Sequence, residues 1–213
     1  MDMRAAGDGE GKLEADVARM LALNKRTQKA IFGYARVDLI EQKEEFRFGT
    51  WNERRLQGPQ VASLVQSFLT KGADRFSLSK AIPLVVMKTD VKATTYATTF
   101  SPGMEAAMAL PILELQEGAK GKRRLVAAGG QHRVHAVEAW TKHLRKQHGE
   151  LVKQRQALEQ QDAENVTAME IENENQTRKP KRDALQETLG LGGQWMVVLY
   201  DSGERAFSRI ESD

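Results

Sequence analysis

The chain of 213 residues contains no cysteine, only 6% aromatic residues and no long apolar run. The absence of cysteine excludes disulfide bonds, a thiolate nucleophile and a zinc site built on sulfur ligands. No apolar segment approaches the length of a membrane span, and the N-terminal segment lacks the apolar core of a signal peptide. These absences predict a protein of the cytoplasm or nucleus without a membrane partner.

The charges of the chain are nearly balanced. It has 32 Lys and Arg residues against 29 Asp and Glu residues, a net charge of +3 that does not by itself predict a nucleic-acid partner. The basic run Arg145–Arg155 is interrupted by Glu150 and has no aromatic side chain on which bases could stack. A solvated helix face or a protein-binding arm is the favoured interpretation of this run, and nucleic acid is an unlikely partner.

Composition and periodicity divide the chain into three parts. Residues 1–12 are small, charged and rich in glycine, which predicts a disordered N-terminus. Residues 13–144 together with 191–205 alternate between helical and strand patterns, which predicts an α/β (α+β) domain with a mixed sheet and flanking helices. Residues 145–190 are dominated by Glu, Gln, Lys, Arg and Asn, which predicts a long polar helical insertion with few contacts to the core.

One helix has a clear beginning, face and end. Pro59 suits its first turn and Gly72 suits its end. Its apolar residues recur at helical spacing and form one face that should pack on the sheet: Val61, Leu64, Val65, Phe68 and Leu69. In the polar insertion, a helix is expected to break near Pro180 and a second short helix to follow.

Short apolar runs predict the strands. Residues 34–40, 82–88 and 195–200 are each rich in β-branched or aromatic residues. The runs at 111–116 and 123–129 flank a Gly- and Lys-rich turn. They are expected to form a β-hairpin, or two neighbouring strands joined by a flexible connection.

The most informative segment is the junction at Gly129 and Gly130, where an apolar run ends and helical spacing begins. The N–H groups in the first turn of a helix lack intrahelical partners and carry partial positive charge, so an anion can dock there. Glycines let the main chain approach a ligand closely, and Arg133 adds a charged fork that matches phosphate oxygens. Gln131 and His132 add donors. The alternative is a plain strand-to-helix turn in which Arg133 pairs with a surface carboxylate.

A metal site is a weaker interpretation of the same helix. His132, His135 and Glu138 recur at intervals of three residues, a spacing that can place ligands on one face. A single element would supply all three ligands, however, and solvated helix faces often carry such residues. No metal site is therefore predicted from the protein's own side chains.

The order of several segments resembles that of ParB-type proteins and of sulfiredoxin, which share a fold. Gly130–Ala136, with the sequence GQHRVHA, resembles the G-E-R-R-x-R-A box of ParB-type proteins and the G-G-C-H-R box of sulfiredoxin. The segments VDLI, WNERRL, QVASLVQSFLTKG and IPLVVMK resemble the preceding strand, arginine-containing loop, helix and strand of that fold. The resemblance covers about residues 34–144, with residues 195–201 as a later strand.

The resemblance implies a ParB/sulfiredoxin-like, nucleotide-binding domain. Its phosphate-binding loop would be Gly129–Arg133, and Mg²⁺ would accompany the nucleotide. Arg54 and Arg55 would lie in the segment that adds an arginine to the phosphates; the alternative for both is a charged surface loop. Weak nucleotide hydrolysis or phosphoryl transfer is implied as well, because the family includes a CTPase and a serine kinase. No catalytic residue is predicted.

Two departures from the family pattern limit these expectations. Gln131 stands where sulfiredoxin has its nucleophilic cysteine, so the repair chemistry of sulfiredoxin is excluded. Gln131 and His132 also replace the glutamate and first arginine of the ParB box. The alternative function is a non-catalytic protein-interaction module on the same fold that contacts its partner through residues 145–190.

Overall fold

The structure is a computed structural model that describes residue 25 and residues 27–49, 55–160 and 167–203. Within these ranges one mixed sheet has the strand order β1-β5-β3-β4-β2. Its strands are β1 (Ile31–Asp38), β2 (Phe46–Phe48), β3 (Ile82–Val86), β4 (Leu125–Ala127) and β5 (Gln194–Asp201). The helices are α1 (Gly58–Lys71), α2 (Met104–Met108), α3 (Gln131–Gln160), α4 (Ala168–Asn173) and α5 (Lys179–Gly190). The predicted α/β class, with a mixed sheet and flanking helices, is confirmed.

The last strand of the described chain lies inside the sheet. β5 pairs antiparallel with β1 and parallel with β3. β4 in turn pairs antiparallel with β3 and parallel with β2. The predicted strand at 195–200 is therefore confirmed. Because β5 lies between β1 and β3 but follows the polar helical region in sequence, the sheet is complete only when that region has been synthesised.

Helix α1 has the predicted bounds and packs its apolar face on the sheet. Pro59 lies in its first turn, and Gly72, with φ of +77°, ends it by donating its N–H to the carbonyl of Phe68 at 3.1 Å. Phe68 is buried, with its ring centroid 5.9 Å from that of Trp140 and 6.1 Å from that of Trp195. Leu69 is 36% exposed and marks the edge of the face. On this side of the sheet, α1 and α3 thus pack against β5 and the strands beside it.

Strand alternation decides which sheet residues reach this core. Leu84 and Val86 belong to the same buried cluster as Phe68. Val85 is also buried, but outside that cluster, because successive side chains of a strand point to opposite faces. Met196 lies in a second cluster with Phe76, on the opposite side from its neighbours Trp195 and Val197.

The predicted hairpin is wrong. β4 pairs with β2 and β3, whereas the segment before it makes only isolated bridges from Ile112 to Arg36 and from Leu115 to Val91. β2 was not predicted at all. Alternating apolar residues show that a segment is half-buried, but they do not specify its partner, and three residues are too few to give a strand pattern.

The polar region is helical where the structure describes it, but it does not break at Pro180. A π-helical turn, Glu174–Arg178, joins α4 to α5, and Pro180 lies in the first turn of α5. Proline cannot donate to the carbonyl of the preceding turn, and a π-helical turn accommodates that loss without ending the helix. The prediction of a break is therefore wrong. Residues 1–12 lie outside the described part of the chain.

Part of the polar region returns to the core. Leu185 and Leu189 pack against the main cluster. Arg182 is 7% exposed and its Nη1 lies 2.7 Å from a carboxylate oxygen of Glu174. The second half of α3, in contrast, is mostly exposed beyond Leu151.

Amide hydrogen exchange is expected to separate these parts. The N–H groups of residues 153–160 should exchange much faster than those of β3, because exposed helix ends open locally while buried strands open only with the whole fold. Residues 182–189 should exchange more slowly than 153–160. Mass spectrometry of exchanged peptides measures this order, with β3 as the internal reference. Equal protection in 153–160 and β3 would show that the whole of α3 is part of the cooperative core.

Candidate functional site

The strand–glycine–helix junction forms as predicted. β4 ends at Ala127 and α3 begins at Gln131. Gly130 has φ of +84°, and a Cβ built there would lie 3.1 Å from Cγ1 of Ile82. A Cβ built at Gly129 would meet nothing within 4 Å. Glycine is therefore required at position 130 by the positive φ and by the packing of Ile82, whereas Gly129 leaves open space in front of the helix.

The first turn of α3 presents unpartnered donors. The N–H of Val134 donates to the carbonyl of Gly130 at 3.0 Å. The N–H groups of Gln131, His132 and Arg133 donate to no group in the described part of the chain. Because α3 is 30 residues long and its first residues are only half-buried, its positive end is open to an anion.

Arg133 is held rigidly at this end of the helix. Its Nη1 donates to the carbonyl of Lys80 at 2.5 Å, and its guanidinium carbon lies 5.4 Å from the ring centroid of Trp195. Trp195 donates its Nε1–H to the same carbonyl at 2.8 Å. Burial lowers the pKa of Arg133, and the negative charge of Asp74 opposes this shift. The main-chain carbonyl, rather than a surface carboxylate, orients the guanidinium, and its other N–H groups are left for a ligand.

His132 makes a contact that was not predicted. Its Nε2 accepts a hydrogen bond from the N–H of Gln57 at 3.0 Å, just before α1 begins. In this arrangement only Nδ1 can donate to a ligand. This hydrogen bond connects the start of α1 to the start of α3 and holds both beside the junction.

In the described part of the chain, the side chains of the other residues considered on the sequence form no hydrogen bond or ion pair with the junction. Arg55 is exposed ahead of α1, and Arg54 lies outside the described residues. His135 lines a shallow apolar groove against α1, and Glu138 pairs with Lys43 at 2.8 Å. In the described ranges no group of three His, Cys, Asp or Glu side chains is placed to hold a metal ion.

Arg133 also lines a cleft that the sequence analysis missed. The cleft has a volume of about 820 Å³ and lies between the end of α1, the segment after it, and the loop before α2. Its charged lining residues are Lys71, Asp74, Arg75, Lys80 and Arg133. The first four fall within ten residues of sequence, and this cluster is the signal that could have located it.

Arg75 places a second guanidinium beside the cleft. It is 6% exposed, and its Nη1 donates to the carbonyl of Gly192 at 3.0 Å. Its guanidinium carbon lies 5.6 Å from the ring of Phe76 and 5.4 Å from that of Trp140. Its buried Nε has no partner among the described residues. Burial lowers the pKa of Arg75, and the negative charge of Asp38 opposes this shift.

No family model, curated protein or solved structure matches this chain. In the described part of the chain, no helix is long and apolar enough to cross a membrane. The resemblance to ParB-type proteins and sulfiredoxin therefore stays a prediction. The geometry around Arg133 is the basis for assigning a function.

The two glycines of the junction should respond differently to substitution. Gly130→Val is expected to destabilise the fold by about 1–3 kcal/mol, because a side chain is strained at positive φ and must displace Ile82. Gly129→Val should leave stability nearly unchanged, because its Cβ enters open space. Urea denaturation of both variants measures this difference. Equal midpoints for the two variants would contradict the assigned backbone geometry. Gly129→Val is accordingly the variant with which to block ligand approach.

Proposed function

We propose that this chain is a nucleotide-binding domain that holds a phosphate group at the first turn of α3. The observation that carries the proposal is the position of Arg133. Its guanidinium is fixed by Lys80 and Trp195 at the wall of the cleft, and Arg133 itself belongs to the first turn of α3, where the N–H groups are unpartnered among the described residues. A pre-oriented guanidinium loses little freedom when it binds phosphate oxygens, which favours affinity.

The charge and size of the cleft support a phosphorylated ligand. Lys71, Lys80, Arg75 and Arg133 line it, against the single carboxylate of Asp74 among its lining residues. Its volume of about 820 Å³ suits a nucleotide better than an isolated phosphate ion, since pockets for small organic ligands usually span about 300–1,000 Å³.

Mg²⁺ would enter this site with the nucleotide. The described side chains form no cluster that could hold a metal alone. Phosphate oxygens would supply most of the ligands, and Asp74 is the carboxylate of the cleft that can contact the hydrated ion. Asp74 is also the residue to replace when testing for nucleotide hydrolysis or phosphoryl transfer.

A thermal-shift screen tests the proposal directly. Nucleoside mono-, di- and triphosphates are compared with and without Mg²⁺. A ligand at 100 times its dissociation constant should stabilise the fold by about 2.7 kcal/mol. Release of inorganic phosphate in the same samples measures hydrolysis. The Gly129→Val variant should lose the shift while keeping the unliganded melting temperature. If no nucleotide shifts the wild-type protein, the proposal is wrong.

A second candidate function is a protein-interaction module. Met169 is 76% exposed and Ile171 is 49% exposed, and both belong to α4 in the polar region. Exposed apolar side chains on a charged arm suit a protein partner. An Ile171→Glu variant that no longer co-purifies with such a partner, yet melts as wild type does, would support this function. Both functions suit the cytoplasm or nucleus.

A further inference from the structure

The cleft has an apolar part that phosphate binding does not explain. Leu78 is 44% exposed and Met104 is 67% exposed, and both line the cleft that contains Arg133. Phe100, which is half-buried, also lines the cleft. Large apolar side chains left exposed beside a cationic group suggest that part of the ligand covers them.

Resting on the proposed function, we propose that the base of the bound nucleotide lies against Leu78, Phe100 and Met104. The phosphates then lie towards Arg133 and Lys80. A base has a flat apolar face that gains from leaving water, whereas a sugar phosphate or polyphosphate has no such surface. The ligand class is therefore a nucleotide recognised through its base, and not any compound that carries a polyphosphate group.

Two features favour a planar base over a flexible acyl chain. Phe100 is held by Tyr34, with ring centroids 5.5 Å apart and planes tilted by 35°. Phe100 is thus an aromatic ring in the lining of the cleft that is held in place before a ligand arrives. The hydroxyl groups of Ser77 and Ser79 also line the cleft, 2.8 Å from each other. They can pair with the polar edge of a base or with a ribose, whereas an acyl chain would desolvate them without replacement.

The test is a calorimetric titration with three probes. These are the best nucleoside triphosphate from the screen, inorganic tripolyphosphate and octyl phosphate. Met104→Ala should weaken binding of the nucleoside triphosphate about three- to tenfold, the effect of losing a few buried methylene-sized groups. It should leave binding of tripolyphosphate unchanged. Met169→Ala is the matched control, because Met169 is also a largely exposed methionine, at 76% against 67% for Met104, but lies on α4 and does not line the cleft. This control should bind every probe as wild type does.

The outcomes separate this inference from the proposed function. Tripolyphosphate that binds as tightly as the nucleotide would overturn the base subsite and leave the phosphate site in place. Octyl phosphate that binds more tightly than the nucleotide would show that the apolar part takes a chain. An equal effect of Met104→Ala on nucleotide and tripolyphosphate would also overturn the inference. If none of the probes binds, both the inference and the proposed function are wrong.

Discussion

Replacing Phe68 with alanine is expected to lower the free energy of unfolding by about 3–5 kcal/mol, the range for removing a buried phenylalanine. The side chain is 8% exposed and lies between the rings of Trp140 and Trp195, so its removal leaves a cavity where α1, α3 and β5 meet. The rings of Trp140 and Trp195 are too rigid to fill this cavity, so the loss of stability is expected to lie in this range.

Urea denaturation followed by circular dichroism measures the loss. Leu69→Ala is the matched control, because Leu69 follows Phe68 in the same helix but is 36% exposed. It should cost about 1 kcal/mol or less, the usual size of an effect at a partly exposed position. Similar losses in the two variants would contradict the packing of α1 on the sheet.

Replacing Arg133 with alanine should weaken nucleotide binding about 10- to 150-fold, or about 1.5–3 kcal/mol, the contribution of a hydrogen bond to a charged group. The guanidinium is oriented before the ligand arrives, so binding costs little side-chain freedom of Arg133. The alanine variant therefore loses nearly the full energy of this contact. The fold should survive, because Trp195 continues to donate to the carbonyl of Lys80.

Two further variants make this measurement specific. Arg133→Lys keeps the charge but loses the planar fork, and should bind more weakly than wild type and more tightly than Arg133→Ala. Arg155→Ala removes an exposed arginine on α3 that pairs with Glu159, and should bind as wild type does. Calorimetric titration gives all four affinities. Equal affinities for wild type and Arg133→Ala would remove Arg133 from the site.

Much of the local structure could be predicted from the sequence, because its causes are local. The bounds of α1 follow from the spacing of its apolar face and from a proline and a glycine at its ends. The junction before α3 follows from an apolar run, two glycines and renewed helical spacing. Each of these signals is contained in a few consecutive residues.

The functional residues show where this reasoning stops. The choice of Arg133 came from its place in the first helical turn, but its partners Lys80 and Trp195 are far away in sequence. The hydrogen bond that His132 accepts from the N–H of Gln57 was not predicted. Arg75 was not considered at all, since its burial beside Trp140 and its bond to Gly192 join segments far apart in the sequence. A side chain's partners depend on which elements are neighbours in space.

The sequence by itself determined that no cysteine chemistry takes place, that α1 and β5 form, and that a strand meets a helix at Gly129 and Gly130. Only the tertiary structure decided that β4 lies between β3 and β2, and that Arg133 and Arg75 line the same cleft. The physical reason is the range of the interactions. Backbone preferences and periodicity act over a few residues, whereas strand pairing and burial bring together segments far apart in the chain.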